Sequence, residues 1–119
     1  MRYYSCDSHV VEPASVFDGF EAMFGSRAPR IDTVPGQGEF IVQPKAGRIP
    51  VGRLGIAGKR LDDPATEALI ARGYAGLNPG VLDPAARLDE QRVDGIVGEV
   101  MYPSLNMFSF AGLLSLIHI

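Results

Sequence analysis

Residues 83–103, DPAARLDEQRVDGIVGEVMYP, carry a helix signal and a strand signal in immediate succession. The Asp-Pro pair at 83–84 is typical of a helix N-cap and first helical residue, and the helix-forming run 85–92 continues it. An Asp-Gly turn at 94–95 predicts the end of the helix. The mostly apolar run 96–102 then predicts a strand, which the following proline ends. A helix followed closely by such a strand is half of a parallel βαβ unit.

The N-terminal residues predict the partner strand. Residues 2–6, with their paired tyrosines, indicate a strand that leads into residues 7–11. The resulting order is first strand, insertion, helix and second strand, which is the beginning of an α/β fold.

A helix is also predicted directly after the first strand. Pro13 stands where such a helix would begin, and Gly19 weakens it. Its apolar side chains recur at helical spacing and are Val16, Phe17, Phe20 and Phe24.

Residues 25–82 are predicted to form a loop-rich insertion, because they hold most of the 14 glycines and 9 prolines. Two runs within it, 39–42 and 48–51, flank a turn and predict a small hairpin. Pro50 confines the second of these strands to an edge. An Asp-Pro pair at 63–64 predicts a short helix that Gly73 ends.

The composition is that of an ordinary globular protein, with 46% hydrophobic and 21% charged residues. Eleven basic and fourteen acidic side chains give a formal charge of −3, so charge offers no reason to bind nucleic acid or an anionic membrane. We expect a cytoplasmic protein without a membrane span, because a secretory signal and a run of about 18 apolar residues are both missing. The single cysteine, Cys6, excludes an internal disulfide and a multi-cysteine zinc site.

Asp7 and His9 have the pattern of metal ligands. Residues two apart in a strand point to the same face, so the two side chains are placed to share one ion. Carboxylate oxygen and imidazole nitrogen both bind zinc at about 2.0–2.2 Å. A catalytic zinc usually has three protein ligands and a water, so this pair is only part of a site. The alternative is a capped turn with a hydrogen-bonded histidine.

Four stretches around these residues occur in a recognisable order, namely SCDSHVVEP at 5–13, DPAARL at 83–88, DGI at 94–96 and EVMYP at 99–103. They resemble the N-terminal strand, the first helix and the second strand of the amidohydrolase-related (amidohydrolase 2) family. This is the branch of metal-dependent enzymes that contains aromatic acid decarboxylases. The resemblance covers residues 2 to about 105 and includes a loop-rich insertion of the kind that family members often carry.

The resemblance implies an incomplete (β/α)8 TIM-barrel-like fold with a divalent metal, most often zinc, at its C-terminal mouth. Asp7 and His9 map onto the two ligands that the first strand supplies. The remaining ligands, histidines from middle strands and an aspartate from a late strand, have no counterpart in the 119 residues. His118 does not take their place, because it lies in an atypical tail.

The resemblance also implies the domain organisation. Residues 1–112 are expected to be the N-terminal part of the barrel domain, with the insertion at about 25–82. Composition changes abruptly after Ala111, so 113–119 are expected to be a truncated or non-native tail. A complete barrel takes about 200 residues or more.

The implied activity is metal-dependent hydrolysis of an amide-type or lactone-type C–N or C–O bond in a small molecule. The alternative is non-oxidative decarboxylation of an aromatic or unsaturated acid, because a subset of relatives has a carboxylate where Asp7 stands. The expected partner is a small-molecule substrate, and a homo-oligomer of the full-length protein is compatible with the resemblance. The 119 residues alone are expected to be inactive. A non-catalytic fragment with an exposed strand edge is a further alternative.

Other polar side chains receive lesser roles. Tyr102, at the end of the second strand, and Glu12 are candidates for substrate binding, although Glu12 is expected first to anchor the turn before Pro13. Glu99 lies in an apolar strand and is expected to be paired with an arginine or to lie at the barrel mouth. Cys6 is expected to pack as a small hydrophobe, and Arg87 to be solvated.

Overall fold

The computed structural model describes residues 2–44 and 47–107, which form a mixed α/β fold with two sheets. In chain order the strands are β1 (Tyr3–Val10), β2 (Arg30–Val34), β3 (Gly38–Gln43), β4 (Gly47–Pro50) and β5 (Ile96–Pro103). The α-helices are α1 (Phe20–Phe24), α2 (Pro64–Ile70) and α3 (Pro84–Asp94). Short 3-10 turns lie at Ala14–Phe17, Gly25–Arg27, Val51–Gly55, Gly73–Gly76 and Pro79–Val81.

The first and last strands form a two-stranded parallel sheet. Tyr3 lies opposite Ile96 at one end, and Val10 lies opposite Pro103 at the other. The α3 helix precedes β5 and contacts it. The predicted order of strand, insertion, helix and parallel strand is therefore confirmed, and with it the α/β class.

Both ends of α3 are fixed by the residues that predict them. The Asp83 carboxylate accepts a hydrogen bond from the backbone N–H of Ala85 at 2.8 Å, which satisfies one of the free donors at the helix start. At the other end Gly95 adopts a φ of +73°, and its N–H reaches back to the last turn. This left-handed conformation favours glycine, so the helix stops there and β5 begins one residue later.

The helix predicted after the first strand is found only in part. The segment forms a 3-10 turn over Ala14–Phe17 and then α1, and the break falls at Gly19, which has a φ of +79°. The aromatic spacing still produces packing, because the Phe20 ring lies 5.7 Å from Phe17 and 5.8 Å from Phe24, edge to face.

The insertion contains a three-stranded antiparallel sheet in the order β2-β3-β4. The predicted hairpin is confirmed as β3 and β4, with Pro50 ending the edge strand. The predicted helix is confirmed as α2, and the Asp63 carboxylate caps it by accepting from Ala65 N–H at 2.9 Å. This helix ends before Gly73, which opens a 3-10 turn instead. Strand β2 was not predicted.

The hydrophobic core lies between the insertion and the ends of the parallel strands. Gly52 lets α2 approach closely, because a Cβ there would lie 2.4 Å from the carbonyl oxygen of Ile70. The insertion therefore supplies much of the core on which the segments after β1 and β5 pack. The buried core side chains are Val11, Phe17, Ile41, Val51 and Leu105.

No helix in the described part of the chain combines the length and apolar character needed to cross a bilayer. The tail predicted for 113–119 lies outside the described residues.

Candidate functional site

Asp7 and His9 lie side by side near the carboxyl end of β1. The Nε2 atom of His9 is 3.4 Å from the Oδ1 atom of Asp7. The Asp7 side chain is 84% exposed and the His9 side chain 40% exposed, so both polar groups are accessible. The prediction that the two side chains share a face of the strand is confirmed, and their metal-binding role stays a prediction.

The spacing of these two atoms suits a shared cation. Two donors that each lie about 2.0–2.1 Å from a tetrahedral zinc ion are about 3.3 Å apart, close to the separation found here. Among residues 2–44 and 47–107, however, no group of three or more His, Cys, Asp or Glu side chains converges. The pair therefore fits as two ligands of a divalent metal, and the described residues offer no third.

A strand irregularity presents this pair to solvent. From Ser5 to Ser8, β1 advances three residues while the paired residues of β5 advance two. Such a bulge bends the strand and takes residues out of the regular ladder. Cys6 and Asp7 lie inside it. The prediction that Cys6 packs as a small hydrophobe is wrong, because its side chain is exposed at this bulge.

Tyr102 lies next to the pair on the neighbouring strand. It is opposite His9 in the parallel register, and the two ring centroids are 6.1 Å apart with the planes tilted by 43°. Its side chain is exposed. The carboxyl ends of β1 and β5 thus bring together a carboxylate, an imidazole and a phenol on one accessible surface. We call Asp7, His9 and Tyr102 the strand-end cluster.

Glu12 is hydrogen-bonded to backbone N–H groups through its carboxylate. Its buried carboxylate accepts hydrogen bonds from the N–H groups of Leu105 at 2.8 Å and Asn106 at 3.0 Å. Its carbonyl oxygen accepts a third from the Tyr74 hydroxyl at 2.9 Å. The carboxylate thereby ties the segment after β1 to the segment after β5. Substrate binding by Glu12 stays a prediction.

Arg87 and Glu99 form a bidentate ion pair beneath the strand-end cluster. The guanidinium donates to the two carboxylate oxygens at 2.5 and 2.7 Å, and the side chains are only 18% and 8% exposed. Gln91 also donates to Glu99. Arg87 further donates to the carbonyl oxygen of His9 at 3.2 Å. The pairing expected for Glu99 is found, whereas the prediction of a solvated Arg87 is wrong.

The two errors, at Cys6 and Arg87, have different origins. The sequence of β1 contains no residue pattern that predicts a bulge. A signal for Arg87 did exist, because a carboxylate in an apolar strand needs a cation. Arg87 lies on the helix immediately before that strand, where the chain returns past it.

No family model and no curated protein matches the chain. The geometry of the strand-end cluster therefore carries the functional argument.

Replacing Arg87 by alanine is expected to destabilise the fold by about 3–5 kcal/mol, because Glu99 is left buried without its cation. Arg92→Ala on the same helix is the matched control. It removes only an exposed contact with Asp89 and should cost less than about 1 kcal/mol. Urea denaturation of both variants measures the difference, and equal losses would contradict the buried ion-pair role.

The same pair predicts a pH dependence. The hydrogen-bonded guanidinium of Arg87 holds the pKa of Glu99 below its usual value of 4.5. Because the folded-state pKa is lower than that of the unfolded chain, the stabilisation is fully present above the unfolded value. It is lost as the pH falls through the folded value. Denaturation midpoints measured between neutral and acid pH should fall less steeply in Arg87→Ala than in the unmodified chain. Parallel curves would refute the assignment.

Glu12→Gln is expected to lower stability by about 1–2 kcal/mol, because the amide cannot replace a carboxylate that accepts from two backbone N–H groups. Zinc affinity should stay unchanged, since Glu12 is turned to the backbone. Glu21→Gln, at an exposed glutamate of α1, is the control and should leave both quantities unchanged. Weaker zinc binding with unaltered stability would place Glu12 in the metal site instead.

Proposed function

We propose that this chain is the N-terminal part of a metal-dependent enzyme of the amidohydrolase-related family, acting in the cytoplasm on a small molecule. The observation that carries the proposal is the Asp7–His9 pair, whose donor atoms are 3.4 Å apart on an accessible strand end. In this proposal Asp7 and His9 hold a divalent metal, zinc being the expected ion. Tyr102 lines the substrate side of the same surface.

The proposed (β/α)8 barrel agrees with the character of the parallel sheet. Parallel strands are normally covered on both faces and read as continuous apolar runs. Strand β5 has that composition, yet Val97, Val100 and Met101 are about half exposed in the described chain. Further strands and helices of a barrel would cover these side chains.

The chemistry follows from the position of the cluster. A divalent ion there would polarise a substrate carbonyl or carboxylate and lower the pKa of a bound water. The chain's own residues contribute two ligands and an aromatic neighbour, and the catalytic base and remaining ligands belong to later strands of the proposed barrel. Hydrolysis of an amide or lactone is the first assignment. Decarboxylation of an aromatic acid is the second, favoured by the carboxylate at position 7, and the exposed Tyr102 ring lies beside His9 on the same surface.

Zinc titration of the chain tests the ligand pair. His9→Ala and Asp7→Asn should each weaken zinc binding by about tenfold or more, because each removes one of two ligands. Isothermal titration calorimetry measures the affinity, and histidine NMR signals identify the imidazole that responds.

The chain offers a matched control, because it contains one other histidine, His118. His118→Ala should bind zinc as the unmodified chain does. If His118→Ala weakens zinc binding, or if His9→Ala and Asp7→Asn leave the affinity unchanged, the metal assignment fails. The non-catalytic fragment then becomes the better description.

A further inference from the structure

A second surface with ligand-binding character lies in the insertion, away from the strand-end cluster. A groove of about 360 Å³ runs between β3, the end of β4, the 3-10 turn after it and α2. That volume falls in the range of small-molecule sites, about 300–1,000 Å³. Its apolar lining comes from Phe40, Pro50, Leu61 and Ile70.

Two opposite charges border this apolar lining. Arg53 projects from the 3-10 turn and Glu67 from α2, and both side chains are exposed. Neither forms an ion pair or a side-chain hydrogen bond with any residue in 2–44 or 47–107. A cation and an anion beside one small apolar groove, with neither neutralised by the other, complement a ligand that carries both charges.

The walls of the groove are held in place by close packing. Gly52, adjacent to Arg53, lies so near α2 that an added Cβ would be 2.4 Å from the carbonyl oxygen of Ile70. On the β3 side, the Arg48 guanidinium lies 4.0 Å from the centroid of the Phe40 ring and holds that ring by a cation–π contact. The two charged side chains are therefore presented from elements with little freedom to move apart.

We propose that this groove binds a zwitterionic amino acid with a large apolar side chain. Arg53 receives the carboxylate, Glu67 receives the ammonium group, and the side chain packs on Phe40 and Ile70. A purely anionic ligand would leave Glu67 without a partner of opposite charge. A purely cationic ligand would leave Arg53 without one. The volume holds one amino acid. This site is independent of the metal pair and of the proposed enzymatic activity.

L-Phenylalanine is the probe, and the ¹⁵N–¹H NMR spectrum of the full 119-residue chain is the readout. Saturable shifts are expected at groove amides such as Gly36, Gln37 and Ala71, with a dissociation constant of about 1 mM or below. Phenethylamine and 3-phenylpropionate each lack one of the two charges. Both should bind about tenfold more weakly, since each loses one charge-assisted hydrogen bond.

Charge-removing variants locate the site. Arg53→Gln and Glu67→Gln should each weaken L-phenylalanine binding by about tenfold. The matched controls, Arg27→Gln and Glu21→Gln, remove exposed charges outside the groove and should bind as the unmodified chain does. Absence of saturable shifts at the groove amides, or equal binding of all three ligands by the unmodified chain, overturns the proposal whether or not the variants fold.

Discussion

One guanidinium holds the parallel sheet to its helix. Arg87, in the first turn of α3, neutralises the Glu99 carboxylate of β5 and also donates to the carbonyl oxygens of His9 in β1 and of Gly80 before the helix. The Glu99 side chain is only 8% exposed, and burying its charge without a partner would cost folding free energy. Because Arg87 reaches both strands, the pair fixes the position of the crossover helix as well as the charge of Glu99.

This arrangement also supports the strand-end cluster. The carbonyl group that Arg87 binds belongs to His9, so a hydrogen bond from α3 holds the backbone of one proposed metal ligand. The other proposed ligand, Asp7, lies in the bulge of β1, where its side chain is 84% exposed.

The sequence predicts the features of this fold that depend on local chemistry. The Asp-Pro pairs at Asp83 and Asp63 mark helix starts because a short carboxylate caps the free N–H groups of the first turn, and Gly95 marks a stop because it adopts a positive φ. The period of a strand predicts Asp7 and His9 on one face, and the two side chains do meet, although Asp7 lies in a bulge that the sequence does not predict. Strand β2 escapes prediction because its stability comes from pairing with β3. The sequence predicts that Glu99 needs a partner such as an arginine, but it does not single out Arg87, because α3 and β5 meet only after the chain has folded back.

The insertion helps to hold the ends of the two parallel strands. A two-stranded sheet is marginal in water on its own, and β1 and β5 have no other strand beside them among the described residues. The segments that leave the two strands are instead held by the insertion. Leu105 is fully buried against a core that contains Ile41 and Val51, and its N–H is bound by Glu12. Because the Tyr74 hydroxyl binds the carbonyl oxygen of Glu12, the same insertion fixes both strand ends, and the alignment of the strand-end cluster depends on it.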